Sequence, residues 1–386
     1  MSKNINKVLP VLFGFLVMGF CDVVGIATSY VGQDFNLSET VAGLIPSMVF
    51  LWFLILSVPS ALLMDKIGRK RTVQLSNLIT FVGMLLPFFD YSFAVCMAAF
   101  VMLGIGNTIL QVSLNPLLTN VVDGKALTSS LTIGQVVKAV SSFIGPFIAA
   151  FAAGQLGNWK YLFPIYAAIT LVSMLWLMSV RIGEEAPTES SVSLRETFGL
   201  LGDRKILLLF LGIFFIVGID VGVNTVAPKL MMERVGWLVE KAGLASSVYF
   251  VCRTVGALVG SVALTKVNEA KYFKYNISAA VLSLVALMFV KGHVPVLIIL
   301  GLLGFLCSSI FPIIYSAAMK SRPDKANVIS GLMVTGVSGG AAIPPLMGVM
   351  ADAIGNQTGS LIVILLCAVY LTACSFWLCR IDPDAK

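Results

Sequence analysis

The feature that most limits what this chain can become is a run of twelve long apolar stretches. They fall at about residues 8–32, 41–64, 73–89, 93–119, 127–153 and 159–180, then at 205–230, 241–264, 272–290, 294–318, 326–352 and 358–380. Crossing the ~30 Å hydrocarbon core of a bilayer takes roughly 20 helical residues. In lipid, each backbone N–H and C=O must be satisfied within the protein, which makes a helix the form such a stretch adopts. Charged residues make up 12% of the 386, about half the share of a soluble domain. A soluble enzyme, a disordered chain and a nucleic-acid binder are excluded on that ground. The expected fold is an all-α membrane protein of twelve transmembrane helices. No small-residue cleavage site follows the first stretch, which is also longer than the apolar region of a signal peptide, and it is expected to remain as the first span.

Charge gives these helices a direction, because Lys and Arg gather in short cytoplasmic loops. With the N-terminus inside, 19 of the 26 basic residues fall on the cytoplasmic side, Lys66, Arg69, Lys70, Arg71, Arg204, Lys205, Lys320 and Arg322 among them. Five are assigned to outer loops: Lys160, Lys229, Arg234, Lys241 and Lys291. Two, Lys138 and Arg253, lie within apolar stretches. The net charge of +7 is therefore a topology signal. The expectation is an integral protein of the plasma membrane, the inner membrane in bacteria, with both termini cytoplasmic. Its extended partner is the lipid bilayer, and nucleic acid is not a partner.

Enzyme chemistry finds no support. The single histidine, His293, sits at an outer-loop edge, and the seven cysteines are scattered in or at the ends of spans. They read as small apolar packing residues. Neither a nucleophile–base pair nor a metal-ligand spacing is present, so no catalytic residue, metal or cofactor is expected. The seven residues after Cys379 leave little room for a signalling output segment.

The halves resemble each other at an offset of 198 residues. Asp22-Val23 falls on Asp220-Val221, Pro146 on Pro344, and Gly157-Asn158 on Gly355-Asn356. Six spans per half make this a parallel repeat, the plan of transporters whose halves rock about a midplane site. The expected organisation is a six-helix half at 1–180, a polar cytoplasmic linker at 181–204, and a second half at 205–386.

Four ionisable side chains fall near the middle of their spans: Asp22, Lys138, Asp220 and Arg253. Each costs about 2.5–3.5 kcal/mol at a helix centre on insertion scales. Two readings are open. They are mutually neutralising pairs, Asp22 with Lys138 and Asp220 with Arg253, or one carboxylate exchanges a proton while its cationic partner is released to a solute. Neutral polar residues share faces with them. Asn107, Gln111 and Asn115 recur at four-residue steps, Gln135 and Ser142 flank Lys138, Asn224 follows Asp220, and Ser246 and Tyr249 precede Arg253. Polar side chains at such spacing must face protein or water, and they suit a polyhydroxylated solute, although helix–helix hydrogen bonding competes for any one of them. Tyr30, Trp52, Phe311 and Tyr315 are the aromatics placed to offer a sugar ring an apolar face. The glycines and prolines of spans 5 and 11, Pro146, Gly336, Gly339, Gly340, Pro344 and Pro345 among them, permit close packing and kinks.

After span 2 the chain reads Asp65-Lys66-Ile67-Gly68-Arg69-Lys70-Arg71, with Ala61 four residues upstream. This resembles the major facilitator superfamily signature Gly-x-x-x-Asp-(Arg/Lys)-x-Gly-Arg-(Arg/Lys), with alanine for its first glycine. By that resemblance Asp65, Gly68 and Arg69 form a gating motif. Gly68 would allow a tight turn, and Asp65 would cap the next helix or pair with an arginine. A narrower resemblance lies in Leu110-Gln111-Val112-Ser113-Leu114-Asn115-Pro116, in Gly218-Ile219-Asp220-Val221-Gly222, in Phe311-Pro312-Ile313-Ile314-Tyr315-Ser316 and in the stretch from Gly339 to Gly348. These are similar to the fucose–proton symporter family, which includes bacterial glucose/galactose transporters. The resemblance implies proton-coupled uptake of a monosaccharide by a monomer. The chain departs from that family at Gln111, where a glutamate is usual, at Lys138, where sugar-binding members have asparagine, and at Asp220, which is glutamate in the glucose/galactose branch. Arg253 fits.

The expected function is secondary transport of a sugar or sugar derivative in symport with a proton, by alternating access. Asp22 and Asp220 would couple the proton. Gln111, Asn115, Gln135, Lys138, Asn224, Tyr249, Arg253 and Tyr315 would bind the solute. Two alternatives stand beside it. One is an anionic solute such as a sugar acid, motivated by Lys138 with Arg253 as a second clamp, and the other is efflux of a small metabolite or drug.

Overall fold

The computed structural model describes residues 5–122, 124–183, 194–322 and 325–381. Among them there are helices and turns but no strand. Twelve of the described helices are long and apolar enough to cross a membrane: α1 (Ile5–Asp34), α2 (Glu39–Ile67), α3 (Arg69–Phe89), α4 (Phe93–Thr119), α5 (Ile133–Gln155), α6 (Trp159–Ser179), α7 (Arg204–Val235), α8 (Val239–Ala263), α9 (Glu269–Phe289), α10 (His293–Ser321), α11 (Val328–Ile354) and α12 (Thr358–Arg380). Each coincides with one of the twelve apolar stretches. Of the linker at 181–204, residues 184–193 lie outside the described residues, and a short helix, Leu194–Gly199, leads from it toward α7. Helix α7 runs five residues past the apolar stretch that predicted it. Lys229 and Arg234, assigned above to an outer loop, are therefore helical.

Several of these helices are interrupted, one of them at a candidate site residue, Asp22. Helix α1 changes to a tighter 3-10 turn over Gly19–Val23 before resuming at Val24. Helix α11 does the same over Gly336–Ser338. A single-residue break at Gly43 separates the first turn of α2 from its long body. Interrupted helices need their freed backbone groups met by neighbours. In α1 that neighbour is Asn107 of α4, whose Nδ2 donates to the Met18 carbonyl at 2.8 Å.

The internal repeat is visible as geometry. Gly157 and Gly355 both adopt left-handed backbone, with φ of +79° and +80°. The asparagine after each caps the helix that follows. Asn158 Oδ1 accepts from the Lys160 amide and Asn356 Oδ1 from the Thr358 amide, both at 2.9 Å. Glycine supplies the positive φ without strain and asparagine is among the best N-caps. Helix pairings recur as well: α3 packs on α4 and α6 as α9 packs on α10 and α12, and α1 packs on α5 as α7 packs on α11.

Contacts divide the chain into two compact units, 1–23 with 51–191, and 24–50 with 192–386. In the first, α3, α4 and α6 pack together, and the first part of α1 lies against α4, α5 and α6. The second is built around α7, which packs on α11, α12 and the second part of α1, while the first turn of α2 packs on α11. Lipid tails are as apolar as leucine, so close backbone approach rather than the hydrophobic effect holds such helices. At Gly339 a Cβ would lie 1.8 Å from the Phe214 carbonyl oxygen, which leaves no room for any side chain.

Candidate functional site

Within the first unit, the polar residues gather at the 3-10 turn of α1. The Ser142 hydroxyl of α5 lies 2.5 Å from Asp22 Oδ2 and 3.1 Å from the Lys138 carbonyl. Asn107 joins the same place through the Met18 carbonyl, and its Oδ1 accepts from Gln111 Nε2 at 2.7 Å. Asn107 is 1% exposed and serves as internal hydrogen-bonding glue, one of the two roles its spacing allowed. Asn115, a turn beyond Gln111, has its Oδ1 buried without a hydrogen-bond partner. Gln135 is exposed and Lys138 half-exposed. The neutralising partner offered above for Asp22 was Lys138. Here Asp22 accepts the Ser142 hydroxyl, and no carboxylate of the described residues pairs with Lys138.

The second unit does contain its expected pair. Arg253 Nη2 of α8 lies 2.7 Å from Asp220 Oδ2 of α7. The Tyr249 hydroxyl, four residues earlier on α8, donates to Asp220 Oδ1 at 2.5 Å. Residues i and i+4 project from one helix face, and so a single carboxylate takes both. Asp220, Arg253, Ile216, Val217, Cys307 and Phe311 line a small open cleft. Phe311 stacks on Tyr315 with centroids 6.0 Å apart, and the Tyr315 hydroxyl is bonded to Ser330. Asn224 points elsewhere. It is 3% exposed and packs where α7 meets α1, so close that a Cβ on Gly25 would lie 2.2 Å from its Oδ1.

The basic loop after α2 works through helix ends. Gly68 has φ of +91° and opens α3 as its N-cap with no side-chain cap bond. Asp65 lies in the last turn of α2. Arg69 reaches the C-terminal end of α4, donating to the Pro116 carbonyl at 3.2 Å, to Thr119 Oγ1 at 2.9 Å and to Asn120 Oδ1. Lys70 Nζ donates to the Val180 carbonyl at 2.7 Å, at the end of α6. The last carbonyls of a helix lack intrahelical partners and carry partial negative charge, which cations there offset.

A further cluster escaped the sequence reading. Asp352, near the end of α11, spreads its carboxylate over the start of α2: Oδ1 accepts from the Glu39 amide at 3.0 Å, Oδ2 from the Thr40 amide at 2.9 Å and from the Thr40 hydroxyl at 2.5 Å. The Glu39 side chain forms an ion pair with Lys229 of α7, a lysine only 8% exposed. The backbones come close beside it, for a Cβ on Gly348 would lie 2.3 Å from the Glu39 carbonyl oxygen. The available signal was that Lys229 falls inside an apolar stretch as Lys138 and Arg253 do. Its position near the span end made it look like an interfacial charge.

Twelve apolar helices, an aspartate in the 3-10 turn of α1 and a basic loop whose cations meet two helix ends define a polytopic α-helical membrane protein. The sequence pattern of the Major Facilitator Superfamily matches residues 11–345, and the chain belongs to that family. Curated relatives include a glucose/galactose transporter of Brucella abortus, 25% identical over 92% of this chain and 90% of that one. The L-fucose-proton symporter of Escherichia coli is 22% identical over 87% of this chain and 84% of its own. Among solved structures, the E. coli fucose:proton symporter superposes with a TM-score of 0.67 at 19% identity, covering 96% of this chain and 98% of that one. At that identity the likeness is one of fold.

Proposed function

We propose that this protein is a proton-coupled symporter of a sugar or sugar derivative that works by alternating access, as a monomer with both termini in the cytoplasm. The observation that carries the reading is Asp22: a carboxylate set at the break in α1, hydrogen-bonded by Ser142, in a family member whose relatives are named as sugar transporters and a sugar–proton symporter. Asp22 is the proton carrier. Asp220, held by Arg253 and Tyr249, is a second acidic site that answers to solute in its cleft. In this reading Gln111, Asn115, Gln135, Lys138, Tyr249, Arg253 and Tyr315 are the candidate solute-binding residues. Asn224 helps to position α7 against α1. The halves that rock are 1–180 and 205–386, joined by the linker at 181–204, with Asp65, Gly68 and Arg69 at the cytoplasmic gate.

The test is uptake into proteoliposomes with the outside acid, using neutral hexoses, amino sugars and sugar acids. Accumulation of at least one of these is expected, and a protonophore should abolish it. Uptake indifferent to the protonophore would remove the coupling, and no uptake of any sugar would remove the substrate class.

The Asp352–Glu39–Lys229 cluster then lies on the outer side, where it latches α2 and α7 to α11. Gly348→Val puts a side chain where the Glu39 carbonyl now sits. Transport is expected to fall at least about tenfold, because a closing step that cannot complete limits every turnover. Equilibrium binding of solute to the detergent-solubilised protein should change little. Equal losses of binding and transport would show that the seam is only packing.

A further inference from the structure

Two cations of the second unit each have a carboxylate: Lys229 has Glu39, and Arg253 has Asp220 at 2.7 Å. Lys138 differs. It stands near the middle of the long helix Gly124–Gln155 that contains α5, and among the described residues no ion pair joins it to an acidic side chain. Nor does it look toward lipid. Ile133, Val136, Val140, Ile144, Phe147 and Phe151 form the exposed apolar stripe of α5, and at 100° per residue Lys138 lies on the opposite face. That face packs against α1, since a Cβ on Gly19 would lie 2.6 Å from the Lys138 carbonyl oxygen. Yet Lys138 remains half-exposed while its neighbours Ser141 and Ser142 are only 5% and 4% exposed. Gln135, one turn earlier on the same side of the helix, is exposed as well. Lys138 is thus turned away from the exposed apolar stripe, half-exposed, and without an acidic partner among the described residues.

We infer that the sugar carried by this protein bears a single negative charge, as a uronic acid does, and that Lys138 selects it. The inference rests on the sugar-symport reading above and adds the charge of the solute. An unpaired ammonium within a membrane span is costly, and a carboxylate on the solute offsets that cost at the moment of binding. Gln135 remains to hydrogen-bond hydroxyls, as any sugar requires. Arg253 is not a second clamp, because Asp220 already holds it. One lysine matches one negative charge, which favours a carboxylate over a doubly charged phosphate.

The full-length protein in proteoliposomes under an inward proton gradient decides it, with glucose, galactose, glucuronate, galacturonate and galactose 1-phosphate as probes. Wild type should take up one of the uronates with a KM at least about tenfold below that of its neutral parent, the scale of a charge-assisted contact. Lys138→Asn should raise the uronate KM by about the same factor while largely keeping the maximal rate, and Lys138→Arg should restore most of the affinity. A loss of structure would instead lower the rate and spare KM. Preference of the wild type for a neutral hexose, unchanged in Lys138→Asn, overturns the charge assignment and leaves the symport reading standing. Preference for the phosphate over both uronates overturns the single charge. Proton-driven uptake of none of the five takes down the sugar reading and this inference together.

Discussion

Proteoliposomes carrying Asp22→Asn should fail to concentrate solute under a proton gradient while still exchanging it across the membrane at equilibrium. Asparagine is nearly isosteric and can still accept the Ser142 hydroxyl that lies 2.5 Å from Asp22, which should preserve the 3-10 turn of α1. What it lacks is a carboxylate that can load and release a proton. One pH unit of gradient supplies about 1.4 kcal/mol per coupled proton, enough for roughly tenfold accumulation. The wild type should approach that ratio and Asp22→Asn should stay near one. Solute counterflow, which needs no net proton movement, should survive. If Asp22→Asn still concentrates solute as the wild type does, the proton is carried elsewhere, and Asp220 is the next residue to replace.

Arg253→Ala should destabilise the protein more than Asp22→Asn or Lys138→Asn does, and Asp220→Asn should return part of the loss. The guanidinium lies 2.7 Å from the Asp220 carboxylate, with the two side chains 37% and 22% exposed. Breaking a fully buried pair costs about 3–5 kcal/mol because the remaining charge is stranded. Partial access of water trims this to roughly 1–3 kcal/mol here. Asp220→Asn removes the stranded carboxylate as well, and Tyr249 can still donate to the amide oxygen that the substitution introduces. Thermal unfolding of the four proteins in detergent gives the coupling as a double-mutant cycle. Additive losses would mean that the pair contributes nothing as a pair. Solute uptake by Arg253→Ala should also be nearly lost, since Arg253 and Asp220 line the same cleft.

The residues that were easy to find share one property. Asp22, Lys138, Asp220 and Arg253 are charges near the middle of apolar stretches, and a charge is conspicuous there because the membrane penalises it. Tyr249 was found through its four-residue spacing from Arg253, a local pattern. Glu39, Lys229 and Asp352 were not found. They sit near span ends, where charges are common, and the meaning of each lies in partners that are distant in the chain. Asp352 caps a helix that begins more than three hundred residues earlier. Arg69 was recognised from its motif, but nothing in the motif says that its partners are the Pro116 carbonyl in the last turn of α4 and the side chains that follow it.

Sequence alone determined the twelve spans, the repeat at 198 residues and the Gly-Asn turns at 157 and 355 that close the same loop twice. These follow from the composition of contiguous segments and from backbone preferences of single residues, both written locally. The tertiary structure alone decided which charge meets which partner. It paired Asp220 with Arg253, gave Asp22 the Ser142 hydroxyl, joined Glu39 to Lys229 and left Lys138 without an acid among the described residues. A hydrogen bond or ion pair forms or fails over a few tenths of an ångström. Distances of that order depend on how closely whole helices approach, through contacts such as Gly19 on α5 and Gly348 on α2, and no periodicity within one segment encodes them.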